Sequence, residues 1–430
     1  MKQIMIAAVL MLLLTVHAHA DKPLLRDFLG INGHTVQFKP DLYRPTTELV
    51  RDYHGMNWDV GDDTSRATTF PFAHNKVDWQ SLYGSWRKAG YRIDASIMIS
   101  KYKPNQWRDL AKDAERYGRA FAKFFGPSGR NLVQAAEVGN EPGGYDDASY
   151  RTVFEHMARG FRAGDPKLKV VTCAMYAEPS GKYHKALDCV RGLEKLYDVI
   201  NVHAYPQLEG WPTWKRSYPE DARLKDFMPR IEKVIDWRNQ HAPGKAIWLT
   251  EFGYDSTTKS SPAKGTFAKW VGVTDAQQAQ WLVRSVLVFT AIDLDRAYIY
   301  FFNDDDNPSV HAASGLTRHY KPKPSYYAIA HLQKTLGDYR FDRVVMQQAD
   351  AVYAYRYVRA DGKSAVIAAW SPTGRDREAQ ATIDLGGAKL IRAERMPLTD
   401  GAAPKVDVKV HAGRATLTLS ESPTYLILSR

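Results

Sequence analysis

From about residue 24 to residue 338, short β-branched or apolar runs alternate with longer segments whose apolar residues recur at helical spacing. Eight runs stand out, at 27–34, 55–63, 92–100, 136–142, 169–176, 199–206, 246–256 and 296–307. Between them, Leu110, Ala114, Tyr117, Phe121 and Phe124 would form one stripe of a helix, and Tyr150, Phe154, Met157 and Phe161 another. A further helix is expected from Asp275 through Ala291, capped by Thr274 or Asp275, and a closing one from Ser325 to Leu336, stopped by Gly337. Strand and helix alternating in this way predict an α/β fold with a parallel sheet, and eight repeats predict a (β/α)8 TIM barrel.

After about 340 the pattern changes. Ala351–Tyr357, Ser364–Trp370, Ala379–Leu385 and Ala415–Ser420 alternate in period two or read as short apolar strands, separated by turns such as Asp361-Gly362. The expectation is a catalytic barrel over 21–339 and a small C-terminal antiparallel β-sandwich over 340–430, packed on the barrel because no Pro/Gly/Ser-rich tether precedes it. Residues 1–20 read as a signal peptide: Lys2 supplies the positive start, Ile4 to Val16 the apolar stretch, and Ala18-His19-Ala20 the cleavage site. The alternative is a retained anchor. Cleavage would release the chain to a secreted or periplasmic location with no stable membrane insertion, since no later segment is apolar for the roughly 20 residues a span needs.

Composition narrows the picture further. With 44% apolar and 25% charged residues the chain belongs with globular proteins, not disordered ones. Its net charge of +11 is scattered rather than gathered in one basic block, and no nucleic-acid-binding fingerprint accompanies it, so nucleic acid is not expected as a partner. An acidic polysaccharide is compatible with that balance. Cys173 and Cys189 are either a disulfide or two buried thiols, and two cysteines cannot build a cysteine-rich zinc site. Asp304-Asp305-Asp306 lacks the glycine and later glutamate of a calcium loop and reads as a solvated loop; no metal and no organic cofactor are expected. Oligomeric state is open.

Two carboxylates carry the chemistry. Glu141 follows Asn140 at the end of the fourth run, and Glu251 ends the tract Ala246-Ile247-Trp248-Leu249-Thr250 of the seventh. In a barrel both would face the mouth at the C-terminal ends of the strands, where two acids 110 positions apart can flank one anomeric carbon. Val138-Gly139-Asn140-Glu141-Pro142 resembles the Asn-Glu acid/base motif of clan A glycoside hydrolases, and Trp248-Leu249-Thr250-Glu251-Phe252-Gly253 resembles their strand-seven nucleophile. Within that clan the chain looks most like family 39-type enzymes, including those that cut bacterial exopolysaccharides. It departs from many clan members in having Tyr300-Phe301-Phe302-Asn303, without tryptophan, on the eighth run. The resemblance implies a retaining double displacement with Glu251 as nucleophile and Glu141 as acid/base, the Glu141 pKa being raised to about 6 to 7. The bland reading of either glutamate is a strand-end carboxylate in a salt bridge; Glu137 and Glu178 are assigned to that structural class.

The same resemblance implies that Asn140 points its amide at the sugar 2-hydroxyl, that Tyr205 holds Glu251, and that His203 lines the sugar pocket, with a core histidine as its alternative. Trp211, Trp214, Tyr218 and Trp270, in the loops after the sixth and seventh runs, are expected to supply one or two stacking platforms. Asn32, Phe302 and Asn303 are further expected sugar contacts, with His34, Asp62, Asp63 and Asp304 as weaker ones. The function expected is cleavage of an extracellular polysaccharide or oligosaccharide, endo action being favoured because two long loops could wall an open cleft. The competing class is a non-catalytic carbohydrate-binding or exopolysaccharide-assembly protein on a barrel scaffold.

Overall fold

The computed structural model describes residues 22–178, 183–349, 351–372 and 378–429; the expected signal peptide lies outside them. Eight parallel strands form the barrel: β1 Leu29–Asn32, β2 Leu49–Gly55, β3 Arg92–Met98, β4 Ala135–Val138, β5 Lys169–Tyr176, β6 Val199–His203, β7 Ala246–Phe252 and β8 Arg296–Ile299. Each pairs with its neighbour in sequence, and β8 returns to β1, so the sheet closes. Helices of ten or more residues follow β2, β3, β4, β6, β7 and β8, while among the described residues between β5 and β6 the helical structure is a short 3-10 turn, Leu187–Val190. The expected helices at 110–124, 275–291 and 325–336 form nearly as read, and Thr274 caps its helix with Gln277 reciprocating.

The period-two alternation of a strand sets the barrel interior layer by layer. At the floor, Leu49, Ala135, Val199, Trp248 and Tyr298 form one apolar cluster. Two residues further along the same strands stand Arg51, Glu137, Asn201, Thr250 and Tyr300, and two further again Tyr53 and His203. The interior thus turns from apolar to polar toward the mouth.

The second strand is not the run at 55–63. It is Leu49–Gly55, and Met56–Val60 is a turn of helix with Met56, Asp59 and Val60 buried. Its signal was hidden because its buried positions include Arg51, Asp52 and His54, each no more than 1% exposed. Asp52 accepts from Tyr83 at 2.7 Å, and His54 bridges Tyr83 and Asp59, so these groups are satisfied inside the protein.

Beyond the barrel, Tyr339–Gln348, Val352–Arg359, Ser364–Trp370, Thr424–Ser429 and Lys389–Arg395 form a five-stranded antiparallel sheet. Ala379–Asp384, Arg414–Leu419 and Lys409–His411 form a three-stranded one. Val352, Ala354, Ile367, Ala369, Leu426 and Leu428 face the smaller sheet in one cluster. The alternate residues Tyr353, Tyr355, Tyr357, Val366, Trp370 and Tyr425 belong to the barrel's cluster. The three middle strands of the larger sheet, Val352–Arg359, Ser364–Trp370 and Thr424–Ser429, are therefore buried on both faces.

A charged contact also crosses this junction. Arg284, on the helix after β7, is fully buried against Glu220 of the loop after β6, at 2.5 and 3.1 Å, and lies 3.8 Å from Glu421. Trp370 donates its indole N–H to Glu220 at 2.6 Å. Arg284→Met should leave two buried carboxylates facing each other and cost about 3–5 kcal/mol, a loss read directly from urea unfolding midpoints at unchanged slope.

Candidate active site

Glu251 reaches the barrel interior through a bulge. Val202 pairs with Leu249 but His203 pairs with Glu251, and on the other edge Leu249 and Phe252 match Ala297 and Ile299, so β7 carries one extra residue. Thr250 and Glu251 consequently both point inward. Tyr205 donates to Glu251 Oε2 at 2.9 Å, and Tyr53 and Arg51 donate to Oε1 at 2.7 and 3.2 Å. The side chain is 7% exposed. Gly253 follows because a Cβ there would lie 2.4 Å from the Tyr300 carbonyl oxygen. A phenol donating to a carboxylate contributes about 1.5–3 kcal/mol, so Tyr205→Phe is expected to lower kcat about 10- to 100-fold with little change in KM, as steady-state kinetics would read.

Glu141 lies just past β4, where Gly139 turns the chain at φ +77°, a conformation glycine adopts freely. Its Oε1 is 2.9 Å from His203 Nδ1, and the same nitrogen is 3.6 Å from Glu251 Oε2. The two carboxylate oxygens are therefore separated by no more than the sum of those distances, about 6.5 Å. This falls short of nearly all of the roughly 6.5–9.5 Å range of inverting pairs and includes the roughly 5–5.5 Å of retaining ones.

The proton on this pair can be counted. Thr250 donates its hydroxyl to Asn201 Oδ1 at 2.6 Å, so His203 Nε2, 2.9 Å from Thr250 Oγ1, must carry hydrogen and donate. His203 Nδ1 and Glu141 then share one proton between them. Burial pushes the Glu141 carboxyl up, but the hydrogen bond and charge of His203, with His184 and His311 adding, hold it well below the usual range. Burial pulls His203 down, and Glu251 and Glu141 together lift it above its ordinary 6.5. The expectation of a raised Glu141 pKa is thus corrected: in the unliganded site the proton rests on the imidazole side of the pair.

Arg51, 1% exposed, organises the layer beneath. It clamps Glu137 with two bonds of 2.7 and 2.9 Å, and donates to Asn32 Oδ1 at 2.8 Å and Asn140 Oδ1 at 2.7 Å. With its oxygen pinned, Asn140 leaves its NH2 as the group available to the cleft. Glu137 is structural as expected, and Glu178 is an exposed partner of Lys233.

Four expected sugar contacts are corrected. Asn32 is fully buried, its amide donating to the Thr250 and Ile299 carbonyls. Phe302 is 1% exposed and packs on Phe38 and Tyr43. Asn303 accepts from Thr317 and the Tyr320 amide. Trp270 is 5% exposed inside its own loop. Each is buried in the scaffold. Two further readings change: His203 is buried against the carboxylates instead of lining the pocket, and Asp304 and Asp306 are buried ion-pair partners of Lys323 and Arg318, leaving Asp305 as the solvated member of the run. Asp62 and Asp63 follow the Met56–Val60 helix, not a strand. Trp214 leans on Phe267 at 5.1 Å, whereas Trp211 is 74% exposed at the tip of the loop after β6. Cys173 and Cys189 are free thiols.

The structure adds groups that the sequence reading passed over. Tyr53 and Arg51 were hidden with β2. Tyr300 stands half-buried at the end of β8, edge-on to Tyr205 at 6.3 Å. His311 packs against Tyr205 at 4.4 Å and accepts from Arg216 at 3.1 Å; burial and that guanidinium push its pKa down to about 4, which leaves a neutral ring. His184 lies 3.6 Å from Glu141. Among the described residues, Glu141, His184 and His203 form a set whose donor atoms all lie within 4.8 Å of one another.

At the level of sequence, no family model and no curated protein matches the chain. Solved structures do. A family 39 glycoside hydrolase from the gut symbiont Bacteroides cellulosilyticus WH2 superposes with TM-score 0.69 at 18% identity, covering 94% of this chain and 81% of that one. A glucosidase from Croceicoccus marinus gives 0.67 at 15% identity over 96% and 97% of the two chains. A family 51 alpha-L-arabinofuranosidase from Bifidobacterium longum gives 0.61 at 14%, over 96% and 97%. The likeness is one of fold, and it takes in the barrel and the appended sheets together.

Proposed function

We infer that the chain is a retaining O-glycoside hydrolase acting on a polysaccharide or oligosaccharide, with Glu251 as nucleophile and Glu141 as acid/base. The observation that carries this reading is the single imidazole of His203 within 2.9 Å of one carboxylate and 3.6 Å of the other. A structural salt bridge does not need two acids converging on a polar mouth with the more exposed of them, Glu141 at 27%, on the open side.

In the first step Glu251 Oε2, the oxygen facing Glu141, attacks the anomeric carbon. The glycosidic C–O bond breaks, and its oxygen leaves with the proton of the Glu141–His203 pair. Glu251 Oε1 becomes the carbonyl oxygen of the glycosyl ester and stays hydrogen-bonded to Tyr53 and Arg51. In the second step water attacks the same carbon, Glu141 takes its proton, and the ester C–O bond returns its electrons to Glu251. Two inversions restore the starting configuration. Asn140 would strengthen its bond to the 2-hydroxyl as positive charge develops at the anomeric centre.

Endo action and an exported location are parts of the same proposal. Long segments follow β6 and β7, at 204–227 and 253–274, and the first carries the exposed Trp211; residues 1–20 have the pattern of an export leader. Among the described residues no helix is long and apolar enough to cross a membrane. The test is a screen of purified protein against extracellular and plant polysaccharides, with products sized and the first-formed anomer assigned by proton NMR. Retained configuration is expected, and an inverted first product would refute the mechanism.

A further inference from the structure

We propose that Glu141, His184 and His203 form a binding site for a zinc-class divalent ion, and that the ion switches the enzyme off reversibly by occupying its acid/base. The inhibitory half rests on the function proposed above; the binding half stands on geometry alone. Glu141 Oε1 lies 2.9 Å from His203 Nδ1 and 3.6 Å from His184 Nε2, and the three atoms are mutually within 4.8 Å. Tetrahedral zinc with bonds of about 2.0–2.2 Å places its donors about 3.4 Å apart, so sub-ångström to ångström adjustments bring all three onto one ion.

The surroundings favour that outcome. The Thr250 hydroxyl accepts from His203 Nε2 at 2.9 Å, fixing the ring with Nδ1 directed into the site, the kind of outer hydrogen bond that orients metal-binding histidines. His184 is held by parallel stacking on Tyr176 at 4.0 Å. Tyr176 also lies 3.0 Å from His184 Nε2 and would keep its bonds to the His203 carbonyl and Arg230, both 3.1 Å, when the ion takes that nitrogen. Glu251 Oε2, 3.6 Å from His203 Nδ1, adds a second negative charge next to the ion. Because Glu141 is partly exposed, the fourth position faces the cleft and can hold water. Two imidazoles and one carboxylate suit zinc, cobalt or copper, whereas calcium and magnesium require mostly oxygen donors. Binding releases to solvent the one proton shared by Glu141 and His203. Glu141 with a metal on its oxygen can neither give a proton to a leaving group nor take one from water.

The probe is Co2+ added to the full chain, read by its visible d–d absorption, followed by displacement with Zn2+. A saturable band at one ion per chain is expected, bleached by Zn2+, insensitive to Mg2+ and Ca2+, and weakened at least about 10-fold in both His184→Gln and Glu141→Gln. The second, isosteric variant guards against misfolding of the first. Turnover should fall in proportion to occupancy and return with EDTA. Absence of a saturable band, or equal binding by wild type and both variants, overturns the site. Full occupancy with undiminished turnover overturns the inhibitory role. A saturating band in a protein that cleaves no glycan would uphold the site while removing the glycosidase reading.

Discussion

Glu251→Ala is expected to lower turnover by about 10⁴-fold or more, the scale on which removing a covalent nucleophile acts. The fold should survive, because Arg51 keeps its two bonds to Glu137 and its bonds to Asn32 and Asn140. What remains is a cavity lined by the donors of Tyr53, Tyr205 and Arg51, shaped for a small anion. Added azide should therefore restore part of the rate with an activated aryl glycoside and give a glycosyl azide of inverted configuration, identified by NMR. Undiminished hydrolysis in this variant would dismiss Glu251 as nucleophile.

Glu141→Ala should have a different signature. Loss of a general acid costs about 10²–10⁴-fold, and the loss should be large for a natural glycan and small for bond cleavage in an aryl glycoside whose phenol leaves unaided. The pH dependence sharpens the assignment. In the wild type the competent form holds one proton on the Glu141–His203 pair, so kcat/KM should decline as pH rises through the upper value of the pair. That value lies above the ordinary 6.5 of histidine, because the two glutamates favour the imidazolium. Glu141→Ala should abolish this alkaline limb with the aryl substrate, and His203→Asn should move it to lower pH. A wild-type profile unchanged in both variants would separate the pair from catalysis.

Much of this site was legible because chemistry that needs a particular side chain leaves it in place on a strand end. Asn140-Glu141 and Thr250-Glu251 follow apolar runs, and the alternation that puts His203 and Tyr205 on one face needs only a period of two. The barrel itself was readable from the repeated alternation of strand-like and helical segments. The second strand was not, since Arg51, Asp52 and His54 make its buried face look like surface. Nor could spacing show the bulge at Thr250, although without it Glu251 would share its face with Trp248's outward neighbours. Two of the expected aromatic contacts are corrected for a related reason: Trp270 and Phe302 have the composition of sugar-binding residues, yet a loop must bury something to hold its shape, and sequence does not say which ring is spent that way. The proton on His203 needed the Thr250–Asn201 bond, which joins positions 49 residues apart.

Glu220 ties these levels together. The segment at 204–227 begins with Tyr205, which holds the nucleophile, continues through Arg216, which holds His311, and reaches Glu220, whose two oxygens are taken by Arg284 and the Trp370 indole. One wall of the cleft is thus fastened from behind by the C-terminal sheet. A fragment ending near 340 would lose Trp370 and leave Glu220, and the wall it anchors, without that fastening, so the natural unit for expression, engineering or grafting onto another protein includes the trailing sheets along with the barrel.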